Sequence, residues 1–226
     1  MKKIFTLIAV AMMAVGGAMA QGTYGVQNGD AGVASGTKNT SANNITMTWG
    51  VEGGADFKGG NKKNEVLKEL LGATAYCEGN GANGAFDSGT VYYFEPKNNG
   101  TLQVGFVLNS GKAFFVQDGE GNNVDFTTTD AAGNAVELTN GGSLTDKLTG
   151  GVVKFNVVGG KKYAVYCTGS KLGFYGFKYE VSGTGIADIN ADVNDADAPA
   201  YNLAGQRVNA NAKGLVIKNG KKYVNK

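Results

Sequence analysis

Histidine is absent from the 226 residues. The chemistry that needs an imidazole goes with it: Ser-His-Asp and Cys-His nucleophilic catalysis, an HExxH zinc site and a histidine pH switch. The two cysteines, Cys77 and Cys167, are too few for a four-thiolate zinc site. They occur in parallel contexts, Tyr76-Cys77-Glu78-Gly79 and Tyr166-Cys167-Thr168-Gly169. In an oxidising compartment they would close a loop of about ninety residues, worth ~4 kcal/mol at best. As buried thiols they would instead act as small hydrophobes. Spacing does not choose between the two, because a disulfide requires Cα atoms within about 7 Å. Without a CxxC spacing, neither reads as a redox catalyst.

Paired carboxylates suffice for glycoside cleavage. Asp87, Glu95, Asp118, Glu120, Asp125, Asp130 and Glu137 lie mostly beside turn glycines, where solvated loop roles are the ordinary ones, and no spacing singles out a pair. Arg207 is the only arginine, so no arginine base is available in the body of the chain. No catalytic residue is assigned. Gly79-Asn80-Gly81-Ala82-Asn83-Gly84 matches GxGxxG, but a dinucleotide site needs a helix to start there inside a βαβ unit. Ala85 to Thr90 is no helix start. Asp188-Ile189-Asn190-Ala191-Asp192 begins like a calcium loop, yet its sixth position is Val193 and its twelfth Pro199, where glycine and a bidentate glutamate are required. No metal site and no cofactor are expected.

Aromatic rings remain, and a ring face can stack on a sugar while polar neighbours bind its hydroxyls. Trp49, the only tryptophan, shares its parity with Ile45, Met47 and Val51 and reads as core. Near the end of the pattern Tyr175, Phe177, Tyr179 and Val181 share one face, which puts Phe174, Lys178 and Glu180 on the other. Phe174 is therefore expected in solvent near Lys171. Tyr92 and Tyr166 stand opposite core-like neighbours in the same way. Tyr92, Tyr166, Lys171 and Phe174 are the candidate ligand-binding residues, with ordinary sandwich packing as the competing reading.

The elements that must position these groups are strands. Ile45/Met47/Trp49/Val51, Leu102/Val104/Phe106/Leu108, Val153/Phe155/Val157 and Tyr163/Val165/Cys167 recur at period two, the signature of half-buried strands. Glycine, 37 residues or about 16% of the chain, and asparagine punctuate them at Asn98-Asn99-Gly100, Asn109-Ser110-Gly111, Gly119 to Asn123 and Gly159-Gly160. Only Asn64 to Leu71 has a helical pattern. The fold expected is all-β, an antiparallel jelly-roll-like β-sandwich over residues 21–184.

The ends carry an address. Lys2-Lys3, the apolar run Ile4 to Val15 and Ala18-Met19-Ala20 form a signal peptide over residues 1–20. Its removal leaves 19 basic against 19 acidic residues. A neutral chain argues against a nucleic-acid partner, and no second apolar stretch reaches the roughly 20 residues of a membrane span. Residues 185–198 form an acidic linker with Asp188, Asp192, Asp195 and Asp197. Residues 199–226 hold Arg207, Lys213, Lys218, Lys221, Lys222 and Lys226 with no acid. Their Asn219-Gly220 step between strand-like runs predicts a β-hairpin tail.

The tail, YNLAGQRV followed by KGLVIKNGKKYVNK, resembles the short C-terminal tail of many exported proteins of the Bacteroidetes, Prevotella-like and Bacteroides-like organisms among them. It is similar in style to type IX secretion sorting domains, although much shorter. YAVYCTGSKLGFYGFKYEVSG, with GTVYYFEPKNNGTLQVGFVLNSGKAFFV before it, resembles a β-sandwich module of exported Bacteroidetes polypeptides that accompanies pectate lyases and other polysaccharide-degrading proteins. The resemblance implies a non-catalytic, carbohydrate-associated module at the cell surface or outside it, with a polysaccharide as ligand and export machinery as the tail's partner. The alternative from another class is a structural or adhesive surface protein that binds another protein through the sandwich. A polysaccharide hydrolase or lyase is the third reading.

Overall fold

The computed structural model of the chain describes residues 21–41, 44–79, 83–182, 200–202, 206–209, 212–218 and 221–225. The chain divides into two compact units, Met1–Gly183 and Thr184–Lys226. The expected signal peptide (1–20) and acidic linker (185–198) lie outside the described residues, as do positions 80–82 of the glycine-rich loop.

The first unit is an antiparallel all-β sandwich. In chain order it contains β1 (Gln21–Gly25), β2 (Lys38–Ser41), β3 (Ile45–Trp49), β4 (Lys62–Lys63), α1 (Lys68–Leu71), β5 (Ala75–Tyr76), β6 (Val91–Pro96), β7 (Gly100–Leu108), β8 (Phe114–Asp118), β9 (Phe126–Thr129), β10 (Leu148–Val157), β11 (Tyr163–Cys167) and β12 (Gly173–Val181). One sheet has the order β1-β12-β7-β10-β9 and the other β2-β3-β6-β11-β8. The first and last strands are neighbours, and β6 to β12 pass repeatedly between the sheets, as in a jelly roll.

Period two does what it predicts in β3, β7 and β11. Ile45, Met47 and Trp49 turn inward, while Thr46 and Thr48 stay half-exposed. Leu102, Val104 and Phe106 of one sheet meet Met47, Phe94 and Val165 of the other in one continuous core. Each such fully buried large side chain contributes roughly 1.5–3 kcal/mol. Two outer strands are sealed by loops. Phe114 donates its N–H to the Gly142 carbonyl at 2.9 Å, and Val124 donates to the Val116 carbonyl at 3.0 Å. Val136 does the same for Thr128 of β9 at 2.9 Å. Edges covered in this way offer no ladder for a foreign strand.

The expected helix over 64–71 is regular only at Lys68–Leu71. It is held by a missing side chain beneath it. A Cβ on Gly105 of β7 would stand 2.5 and 2.6 Å from the Cδ1 atoms of Leu67 and Leu71. The bare backbone is therefore a seat for the two leucines, closed around by Val107, Val152 and Tyr175.

A second glycine changes the phase of β12. The register between β12 and β7 slips between Phe174 and Gly176, and Gly176 has φ 144°. A side chain there would collide with the Tyr24 carbonyl oxygen of β1. The β-bulge adds one residue to the strand, so Phe174 before it and Phe177 after it both face the core. Tyr175, between them, points outward, under Leu67 and Leu71.

The second unit was expected as a hairpin; its described residues form four short strands. They are β13 (Ala200–Tyr201), β14 (Arg207–Val208), β15 (Gly214–Lys218) and β16 (Lys221–Asn225), in the order β14-β13-β15-β16. Lys218 pairs with Lys221, so the strands bracket positions 219–220, the expected Asn-Gly turn, which lie outside the described residues. Among the described residues no helix is long and apolar enough to cross a membrane.

Candidate functional site

The loop carboxylates come first, because they were the only candidates for acid–base chemistry. Asp118 to Asn122 and Asp130 to Asn134 fold into the same five-residue loop. In each, one aspartate oxygen accepts the backbone N–H groups two and four residues on, at 2.9–3.0 Å, and the other accepts the asparagine amide. Gly121 and Gly133 supply the positive φ, 84° and 88°. Hydrogen bonds from Asn122 and from Asn134 hold the two carboxyls below their ordinary value. That is the wrong direction for a general acid in glycoside cleavage, whose pKa must be raised. In the tail the Gln206 N–H likewise donates to Asn202 Oδ1, four residues back, at 3.0 Å. These loops are turn chemistry.

Two of the expected ligand-binding rings are core. Phe174, expected in solvent, is 0% exposed. It stacks on Tyr92 at 4.6 Å between centroids and meets Trp49 edge-on at 5.1 Å. The bulge at Gly176 is the physical reason: it shifts the alternation by one, so parity counted back from Val181 fails at Phe174. Tyr92 is also 0% exposed. Its hydroxyl donates to the Leu172 carbonyl at 2.7 Å. In β6 every side chain from Val91 to Phe94 is buried, so alternation carried no information there. Lys171 is half-buried on the turn between β11 and β12 and makes no ion pair among the described residues.

Cys77 and Cys167 are free and buried. Cys77 Sγ contacts the Phe174 carbonyl and Cys167 Sγ the Ser170 carbonyl. Burial pushes the Cys167 thiol up to about 12 and the Cys77 thiol well above its ordinary value. Both therefore stay protonated and unreactive at neutral pH. Gly79 bridges to Phe57, and Gly84 donates its N–H to the Ser170 carbonyl at 3.1 Å. No helix follows, so the described ends of the GxGxxG segment serve packing.

Tyr166 is where the structure builds something. It faces away from the core, on the outer side of the second sheet, with Val91, Tyr93 and Ala164. The register aligns Val91, Tyr166 and Phe115 across β6, β11 and β8, and Tyr93, Ala164 and Gln117 in the adjoining row. Phe115 and Tyr166 lie parallel, 13° apart in plane, with centroids 5.1 Å apart. Phe115 is the half-exposed ring of the pair. The Tyr166 hydroxyl donates to Gln117 Oε1 at 2.7 Å, and Gln117 Nε2 donates to Asn123 Oδ1 at 3.1 Å. The Tyr93 hydroxyl donates to the Phe86 carbonyl at 2.7 Å, and Lys162 Nζ lies 3.8 Å from the Tyr93 ring centroid. Burial, followed by the nearby Asp87 carboxylate, raises the pKa of both tyrosines. Where the strip ends at Lys162, a hollow of about 170 Å³ opens between Lys161, Lys162, Asp118 and Glu120.

Sequence reasoning found Tyr166 and missed Tyr93, Phe115, Gln117 and Lys162. Their parity was readable in principle, because Phe115 alternates with Phe114 and Val116. Which row each ring joined depended on strand pairing across the sheet. A second cleft, of about 440 Å³, lies beside α1 and is lined by Glu65, Glu69 and Asp130 over Leu67 and Val152. Glu65 pairs with Lys68 at 3.6 Å, and Asp130 is engaged in its loop. No group of three or more metal-ligating side chains occurs among the described residues.

No known family model matches the chain, and no curated protein sequence matches it.

Proposed function

We propose that the chain is an exported, non-catalytic β-sandwich that binds a glycan at the cell surface or outside the cell. One observation carries the reading: the strip on the outer face of the second sheet joins a half-exposed ring, Phe115, to an amide relay. The ring lies parallel on Tyr166, and the relay runs from the Tyr166 hydroxyl through Gln117 to Asn123. A sugar needs that combination, an apolar plane for its C–H face and fixed polar groups for its hydroxyls. The signal-peptide pattern at the N-terminus supports export, and the tail's likeness to sorting domains supports delivery to the cell exterior. Both aspartates of the matched loops are occupied by the N–H groups of their own loops, which supports binding over hydrolysis.

The test is affinity-gel electrophoresis of the chain from Gln21 onward in gels cast with plant and microbial polysaccharides. Retardation by at least one polymer is expected, with loss of retardation in Phe115→Ala. Equal migration in every gel would overturn the reading. The adhesive alternative would gain from an open strand edge, which the loops remove at β8 and β9.

A further inference from the structure

We infer that the ligand of this strip is an uncharged glycan, and that carboxylates on both sides of the rings exclude acidic ones. The inference rests on the glycan reading and deepens it by assigning the ligand's charge class. It starts from the order of charges around the rings. Exposed Asp87 follows Phe86, whose carbonyl accepts the Tyr93 hydroxyl at 2.7 Å, and its charge is felt by both Tyr93 and Tyr166. Glu95, also exposed, lies two residues beyond Tyr93 on the same face of β6. One step past the Tyr163–Phe94 pair, the register sets Glu95 opposite Lys162. Lys161 and Lys162 share the hollow at the end of the strip with Asp118 and Glu120. On the far side, Lys38 of β2 pairs with Thr48 of β3, which pairs in turn with Tyr93.

The face is therefore a mosaic, with lysines interleaved among carboxylates and no field of one sign. A hydroxyl both donates and accepts hydrogen bonds, so the hydroxyls of one sugar can serve both kinds of group. Glu120 has acceptor capacity to offer, since among the described residues it takes only the Asn122 amide, at 3.4 Å. Exposed Asn123 offers amide N–H groups, since its Oδ1 already accepts from Gln117 at 3.1 Å.

A carboxylate or sulfate only accepts. A polyanion also carries the same sign on every repeat. Whichever way it crosses the rings, some of its charges meet Asp87, Glu95 or Glu120, and like charges set against each other are a common means of rejecting a wrong partner. An uncharged chain meets no such repulsion and keeps the ring face of Phe115.

The test uses the chain from Gln21 onward in affinity gels cast with dextran, mannan, arabinoxylan or hydroxyethylcellulose, with the carboxymethyl form of each, and with alginate and polygalacturonate. The tail is basic and attracts polyanions by itself, so Phe115→Ala is run alongside, and only the retardation it abolishes is assigned to the strip. At least one uncharged polymer is expected to bind, and its carboxymethyl form should bind several-fold more weakly at low salt, the gap narrowing as salt screens the charges. Asp87→Asn/Glu95→Gln should narrow the same gap, by about threefold for each removed charge at about 7 Å in water. A gap that neither salt nor the double variant alters would be steric and would overturn the inference. Phe115-dependent binding that is equal for the two forms, or stronger for the acidic polymers, would overturn it too and leave the glycan reading intact. Failure to bind any polymer would remove both.

Discussion

Replacing Phe174 by alanine separates the two roles its ring can have. In the core it is 0% exposed and is packed by Tyr92 at 4.6 Å, Trp49 at 5.1 Å and Tyr24 at 6.4 Å between centroids. A buried Phe→Ala change costs about 3–5 kcal/mol, transfer and cavity terms together. A urea m-value of about 2 kcal/mol/M then moves the unfolding midpoint down by about 2 M. Against a total stability of roughly 5–15 kcal/mol, the variant folds but is visibly weakened. Trp49 is the only tryptophan and is fully buried, so its fluorescence reports the transition without a label. Phe115→Ala is the matched control. That ring is half-exposed and loses chiefly its contact with Tyr166, about 0.5–1.5 kcal/mol, so its midpoint should move by less than about 1 M. A Phe174→Ala midpoint equal to that of the unaltered chain would refute the core assignment and the bulge argument behind it.

Three further outcomes are expected. Gly105→Ala drives a methyl into the Cδ1 atoms of Leu67 and Leu71; overpacking of about 1–3 kcal/mol should loosen α1, seen as faster proteolysis near residues 64–72, and an unchanged digest would refute the seat. Asp118 and Asp130 have folded-state pKa values below their ordinary 3.8. Their contribution is therefore complete above that value and is lost as pH falls through the folded values. Asp118→Ala/Asp130→Ala should accordingly lower the urea midpoint at pH 7 more than at pH 2.5, and equal shifts at both would contradict the loop assignment. Both thiols are buried and free, so an aromatic disulfide reagent should label neither in the native chain and both in denaturant. Only a denatured chain with no reactive thiol would favour the disulfide.

The two sheets show how far the linear pattern reaches. Period two in β3, β7 and β11 was legible because each of these strands has an inward row whose parity never changes. Ile45, Met47 and Trp49 could be read as core without any knowledge of their neighbours. In β6 the inner and outer faces are both buried, so Tyr92 and Tyr93 look alike in sequence although one fills the core and the other bears Lys162 on its outer face. In β12 the extra residue at the bulge reverses the parity of Phe174 relative to Phe177.

The chain alone therefore determined its composition-level chemistry, the exclusion of imidazole catalysis, and the antiparallel all-β class. These follow from residue types and from side-chain alternation within a strand. Tertiary structure decided which rings are inside and which form a strip. That choice depends on register between strands distant in sequence, on a glycine bulge fitted against the Tyr24 carbonyl, and on a helix seated over Gly105. None of these is a property of any single strand, so no local pattern could have carried it.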